Sequence, residues 1–145
     1  IAFPGFLDNR EELAVALASS DIYVSAMADE TFGISVIEAQ ACGLPVVGVA
    51  AGAMTARVSP ELGKLGPVDD VATMAKNVEA VWHGDRIGMG RRARTHAVTS
   101  FSWERTFFRL IGEVYSAALA NAARRSWQKR TWVNFTASRF LRKAG

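Results

Sequence analysis

Asp29-Glu30-Thr31-Phe32-Gly33-Ile34-Ser35-Val36-Ile37-Glu38-Ala39-Gln40-Ala41-Cys42-Gly43-Leu44-Pro45-Val46-Val47 is the stretch whose reading decides the architecture. Ile34, Ile37, Glu38 and Ala41 recur at helical spacing, which predicts a helix over residues 31–42 with Gly43 at its C-terminal stop. Leu44-Pro45 breaks that helix, and Val46-Val47-Gly48-Val49-Ala50 follows as a buried strand. Before it, Asp21 leads into a short apolar strand, Ile22-Tyr23-Val24.

Working outward, Asp8 or Asn9 caps an expected helix through about Ser19. Its Leu13, Val15, Ala16 and Leu17 predict a mostly buried face, and Glu11 and Glu12 suit its positive end. After Gly52 the chain is rich in loops, with one short edge strand expected near Gly63 to Leu65. Asp69-Asp70 starts a helix to about Trp82, and His83-Gly84-Asp85 turns into another helical segment carrying Arg91, Arg92 and Arg94, read as a solvated face. Ser102 caps a last helix through about Leu119 with Phe107, Leu110, Ile111, Val114 and Tyr115 as its apolar stripe. Alternating strands and helices predict an α/β fold, a Rossmann-like parallel sheet with helices on both faces. In such sheets ligands bind outside the carboxyl ends of the strands, where the loops beginning at Ser25 and Gly52 are expected to emerge.

Glu30 and Glu38 are the candidate functional carboxylates. If the backbone between them were fully helical, eight residues would advance about 12 Å and turn about 80° beyond two full turns, so both can face one elongated ligand. Gly33, lacking a Cβ, lets a ligand approach the backbone, and the N–H groups around Phe32 to Ser35 offer a place for a diphosphate. Ionised carboxylates only accept hydrogen bonds, which suits paired sugar hydroxyls. A carboxylate, a helix start and a second carboxylate match hexose, diphosphate and ribose.

From Gly5 to about Leu119 the sequence resembles retaining GT-B glycosyltransferases with a Glu-x7-Glu motif. The resemblance is carried by Gly5 to Leu13, the Glu30–Glu38 segment, Ala41 to Val47, Ala51-Gly52, and Phe101-Ser102-Trp103 ahead of Tyr115. It implies the C-terminal half of a GT-B fold, with residues 1–119 as an N-terminally incomplete nucleotide-sugar domain and 120–145 as a basic aromatic tail or helix. By the same resemblance Glu30 is catalytic at the donor hexose, Glu38 binds the ribose, and Phe32, Gly33 and Ile34 supply backbone contacts to sugar and phosphate. Gly52 joins the donor-binding set, although a glycine ending a strand also reads as a simple turn. The implied reaction is transfer of a hexose, mannose or glucose, from a GDP- or UDP-sugar to a hydroxyl of an acceptor sugar or lipid-linked sugar. The alternatives are a related phosphorylase, a sucrose or trehalose synthase, or an inactive nucleotide-sugar-binding subunit. No cofactor and no metal are expected. The chain departs from the family pattern in having Ala26-Met27 in place of Pro-Ser, and one glycine with no acid in Ala51-Gly52-Ala53-Met54-Thr55-Ala56-Arg57. The family's basic pair for the diphosphate normally precedes this stretch of sequence, and no equivalent is visible within it, so it is expected to lie in the missing part or to be absent.

The 145 residues allow one domain with a core. The opening Ile-Ala-Phe-Pro-Gly, with no start methionine, is expected to be a cut, so a missing N-terminal GT-B domain is an expected partner and the isolated chain is expected to be inactive. One cysteine, Cys42, leaves no disulfide framework and fits a reducing, cytoplasmic setting. The net charge of +3 is unevenly spread: residues 1–120 hold 10 Lys/Arg against 14 Asp/Glu, a net of −4, whereas residues 121–145 hold 7 Lys/Arg and no acid. Arg124, Arg125, Lys129, Arg130, Arg139, Arg142 and Lys143 alternate with Trp127, Trp132, Phe135 and Phe140. That tail suits an interfacial helix at the inner membrane face, a helix crossing back onto the missing domain, or a disordered basic end. Nucleic acid is not expected as a partner, because no recognisable module accompanies the charge.

Overall fold

The computed structural model describes Ile1, Phe3 and residues 5–125. Three strands, β1 (Tyr23–Ser25), β2 (Val46–Val49) and β3 (Gly63–Gly66), form a parallel sheet in the order β1-β2-β3. The register sets Tyr23 beside Val46 and Val46 beside Gly63. A parallel pair needs a crossover, and helix α2 (Ile34–Ala41) provides the one between β1 and β2. The sheet is the α/β arrangement expected, including the short edge strand.

The core sits on β2, every residue of which is buried. Val36, Val46, Met54 and Val58 form one cluster with Tyr23 and Leu65 packed against it. Met54 comes from α3 (Met54–Arg57), a single turn that folds the chain back over the sheet. Gln40 belongs to this core: it is 0% exposed, and its Nε2 donates to the Arg57 carbonyl at 2.8 Å, tying α2 to α3.

Two expectations about helix faces are corrected. Helix α2 starts at Ile34 instead of residue 31, and it buries Val36, Ala39 and Gln40, leaving Ile34 exposed. Its geometry follows from Gly33, whose left-handed φ of 81° turns the chain into the helix. Helix α1 (Arg10–Ala18) is capped by Asn9, which accepts from the Glu11 amide at 2.8 Å, yet none of its residues is buried. Leu13 and Leu17 are half-buried while Val15 and Ala16 face out, and the main contact of α1 among the described residues is with α2.

Helices α4 (Val71–His83) and α5 (Arg86–Phe101) complete the first unit, each begun by an aspartate. Asp70 accepts from the Thr73 amide at 2.9 Å and its hydroxyl at 2.6 Å, and these bonds hold its carboxyl below the usual range. The Arg92 guanidinium, 3.2 Å from Asp85, holds that carboxyl below the usual range, and the Gly88 amide, which donates to it at 3.0 Å, adds to the effect.

The arginines Arg91, Arg92 and Arg94 of α5 are exposed, as expected of them, but two of them also bond to neighbouring turns. Arg92 Nε donates to the Glu61 carbonyl at 3.1 Å, and an Arg94 nitrogen donates to the Ala41 carbonyl at the end of α2. Arg86 pairs with Asp21 at 3.3 Å and lies 4.2 Å from the Trp82 ring centre. Gly90 lies so close to the Gly43 carbonyl that no side chain fits between them. Helix α5 therefore fastens the turns that precede β1, β2 and β3.

The chain divides into two compact units, residues 1–102 and residues from Trp103 onward. In the second, α6 (Trp103–Arg109) runs into a π-helical turn, Leu110–Tyr115, and residues 116–125 are helical again. The anticipated single helix thus carries a wide turn, and its stripe of Phe107, Leu110, Ile111, Val114 and Tyr115 is exposed. Most of the basic aromatic tail, residues 126–145, lies outside the described residues. Among those described, no helix is long and apolar enough to cross a membrane.

Candidate functional site

The loops leaving the carboxyl ends of β1 and β2 meet at Glu30. The Glu30 carbonyl accepts from the Ala53 amide at 2.7 Å. Gly52, at a left-handed φ of 52°, sits directly beneath: a Cβ there would run into the Glu30 carbonyl oxygen and come within 3.0 Å of the Ala28 carbonyl oxygen. This identifies a structural need for glycine at position 52. It presses one loop against the other, so a side chain would push the Glu30 segment off the sheet.

The Glu30 side chain turns back on the helix start. One of its carboxylate oxygens, Oε1, accepts from the Gly33 amide at 2.8 Å, which satisfies an N–H that the helix cannot. Gly33 itself is buried, and a Cβ on it would lie 3.3 Å from Arg57 Cγ and 3.8 Å from Glu30 Cγ. The first helical hydrogen bond runs from the Ile37 amide to the Gly33 carbonyl at 3.0 Å, so the amides of Ile34, Ser35 and Val36 precede the ladder. The positive end of the α2 dipole is thus where the expected diphosphate subsite was drawn, shifted toward Ile34 and Val36.

Glu38 is the fifth residue of α2, just over one turn from its start and not two. It is exposed, and its carboxylate makes no hydrogen bond or ion pair among the described residues. Phe32 and Ile34 project outward at 52% and 61% exposure. The structure therefore brings Glu30, Gly33 and Gly52 into contact, sets Phe32 and Ile34 around them, and holds Glu38 farther along the same helix.

Sequence reasoning passed over Arg57. Its Nε donates to the Phe32 carbonyl at 2.8 Å and its guanidinium carbon lies 4.6 Å from the centre of the Phe32 ring. The available signal was a single basic residue closing the otherwise uncharged run Ala51 to Ala56.

Two surface cavities lie elsewhere. One of about 350 Å³ is lined by Asp21, Gly43, Pro45, Arg86, Arg91 and Arg94, among others, and one of about 380 Å³ by Ser59, Glu61, Arg92 and His96, among others. Both are at the amino ends of the strands, where Arg86, Arg92 and Arg94 are already engaged in holding the turns together. The carboxyl ends are the better ligand site on the rule for open parallel sheets. No group of three or more His, Cys, Asp or Glu side chains among the described residues is arranged to hold a metal ion.

The sequence that carries this arrangement matches a known family. The model for glycosyl transferases group 1 matches residues 1–83, the span that carries both carboxylates and the two glycines. The chain belongs to that family. A D-inositol 3-phosphate glycosyltransferase of Mycolicibacterium smegmatis is 31% identical over 130 residues, 83% of this chain and 30% of the relative. One from Geodermatophilus obscurus is 37% identical over 114 residues, 78% of this chain and 25% of the relative. Among solved structures, the sucrose-phosphate synthase of Thermosynechococcus elongatus aligns with a TM-score of 0.67 at 30% identity, covering 77% of this chain and 28% of that one. Anabaena HepE, solved in complex with UDP, shares the fold at a TM-score of 0.55 and 23% identity over 70% of this chain and 29% of that one. The glycosyl transferases group 1 chain described here thus has the Rossmann-like fold of the C-terminal domain of GT-B glycosyltransferases, and spans roughly a quarter to three tenths of the curated relatives it matches.

Proposed function

We propose that this chain is the donor-binding half of a retaining hexosyltransferase. The observation that carries the reading is the convergence of Glu30, Gly33 and Gly52 at the carboxyl ends of β1 and β2, with Glu38 on the helix that starts there. The free amides of the α2 start receive the diphosphate of a GDP- or UDP-hexose, Glu38 accepts from the ribose hydroxyls, and Glu30 faces the hexose. An ionised carboxylate has about four acceptor positions, so Glu30 can keep its bond to the Gly33 amide and still accept from a sugar hydroxyl. An acceptor hydroxyl then attacks the anomeric carbon from the face that the nucleotide diphosphate leaves. The helix start stabilises the charge growing on the departing diphosphate, without metal or cofactor.

Residues 1–119 form the donor domain in this reading, and a second, N-terminal GT-B domain supplies the acceptor site. Mannose or glucose is the transferred unit. The likeness to a sucrose-phosphate synthase at 30% identity favours a sugar or sugar phosphate as acceptor, with a synthase of that kind as the second reading. The reaction runs in the cytoplasm, and the basic tail rests on the inner membrane face. Deleting residues 121–145 is expected to release the protein from vesicles of anionic lipid; equal recovery with and without the tail ends that part of the reading.

The test is product formation by the two-domain protein from a panel of GDP- and UDP-hexoses, with wild type, Glu30→Gln and Glu38→Gln compared. Glu30→Gln is expected to lower kcat at least about 100-fold, and Glu38→Gln to raise donor KM about tenfold. Nucleotide-sugar binding with no turnover in the wild type would make the protein an inactive binding subunit instead.

A further inference from the structure

The turn that begins α2 has little to hold it in place. Phe32 and Ile34 are exposed and Gly33 has no side chain, so the first apolar anchor of the backbone that the donor would meet is Val36, past the turn itself. Its conformation rests on polar ties. Glu30 supplies two of them, the bond to the Gly33 amide and the bond from Ala53. Arg57 supplies the others.

The Arg57 stem runs alongside Gly33, its Nε donates to the Phe32 carbonyl at 2.8 Å, and its guanidinium carbon lies 4.6 Å from the Phe32 ring centre and 4.8 Å from that of Phe101. Its own carbonyl is gripped by the buried Gln40. Nothing acidic pairs with Arg57 among the described residues. An arginine with no carboxylate partner, over two rings and bonded to one carbonyl, is not a solvated surface charge. A planar guanidinium can do this because its faces stack on aromatic rings while its edge donates.

We propose that Arg57 is a positioning residue of the donor site: it fixes the Phe32–Gly33 turn, and so the amides of Ile34 to Val36, in the arrangement that receives a nucleoside diphosphate. Arg57 acts through Phe32 and not by touching the reacting atoms. Its charge also adds to the positive end of α2. The inference rests on the donor-site reading above.

The test is steady-state kinetics on the two-domain protein with the nucleotide hexose that the wild type uses best, comparing Arg57→Met and Arg57→Lys. Methionine keeps the stem beside Gly33 and removes the guanidinium. Arg57→Met is expected to raise donor KM about tenfold, equivalent to about 1.4 kcal/mol, with acceptor KM and the thermal midpoint close to wild type. Arg57→Lys is expected to behave like Arg57→Met, because an ammonium has no planar face for two rings. A donor KM unchanged in both variants overturns the proposal. So does a fall in thermal midpoint accompanied by equal losses in every kinetic parameter, which marks a purely structural role. If Arg57→Met does not fold, a wild-type donor KM in Arg57→Lys overturns the proposal and a raised one supports it. A wild-type protein that binds no nucleotide sugar removes the donor-site reading and this inference together, whereas normal binding by both wild type and variants removes only the inference.

Discussion

The two ends of the three-stranded sheet use their charged residues for opposite purposes. At the amino ends, Arg86, Arg92 and Arg94 reach from one helix to Asp21 and to the carbonyls of Glu61 and Ala41, and each contact closes a turn. At the carboxyl ends, Glu30 and Arg57 hold one another's neighbourhood around Gly33, while Glu38 is left without a protein partner among the described residues. Three of the arginines at one end are taken up by the fold; at the other end Glu38 remains available. Two cavities of about 350 and 380 Å³ lie at the amino ends, lined in part by these arginines.

The comparison is broken most directly at Glu30. The expected loss in Glu30→Gln of about 100-fold in kcat comes with a thermal midpoint near that of wild type, since a neutral amide can still accept from the Gly33 amide. Finding a large loss of stability with unaltered turnover would mean that the carboxyl ends are as structural as the amino ends. Arg57→Met should follow, with its tenfold effect on donor KM. Gly52→Ala sharpens the contrast from the backbone. A left-handed φ costs an L-residue about 1–2 kcal/mol, and the added methyl meets the Glu30 backbone, so both stability and activity should fall. Thermal melting and donor titration of the same sample separate the two losses. The smallest effect belongs to the amino ends. Arg94→Met removes an exposed bond to the Ala41 carbonyl and should lower stability by about 1 kcal/mol or less, leaving donor KM unaltered. A raised donor KM there would relocate the ligand to the arginine-lined cavity.

The sheet and the elements that carry the candidate site were legible in the sequence because they depend on local signals. Val46 to Val49 is apolar without alternation, Pro45 and Gly43 punctuate it, and the spacing of Glu30, Gly33 and Glu38 survives even though the helix begins three residues later than its periodicity implied. What was not legible depends on partners distant in the chain. The Arg57–Phe32 bond spans 25 residues, and the Arg94–Ala41 bond spans 53. Neither leaves a periodic trace, so an arginine with a structural duty looks like a solvated one. The exposed face of α1 has the same origin, because an apolar pattern records which side can be buried and not whether a neighbour arrives to bury it.

The contact between Gly52 and Glu30 also bears on how such a protein can be altered. Because the Ala53 amide is bonded to the Glu30 carbonyl and Gly52 abuts the same oxygen, residues 28–33 and 51–57 behave as one mechanical part. Exchanging either loop alone for that of a relative would separate surfaces that were fitted to each other. A transplant aimed at changing donor preference should therefore carry both loops together, with Arg57 included.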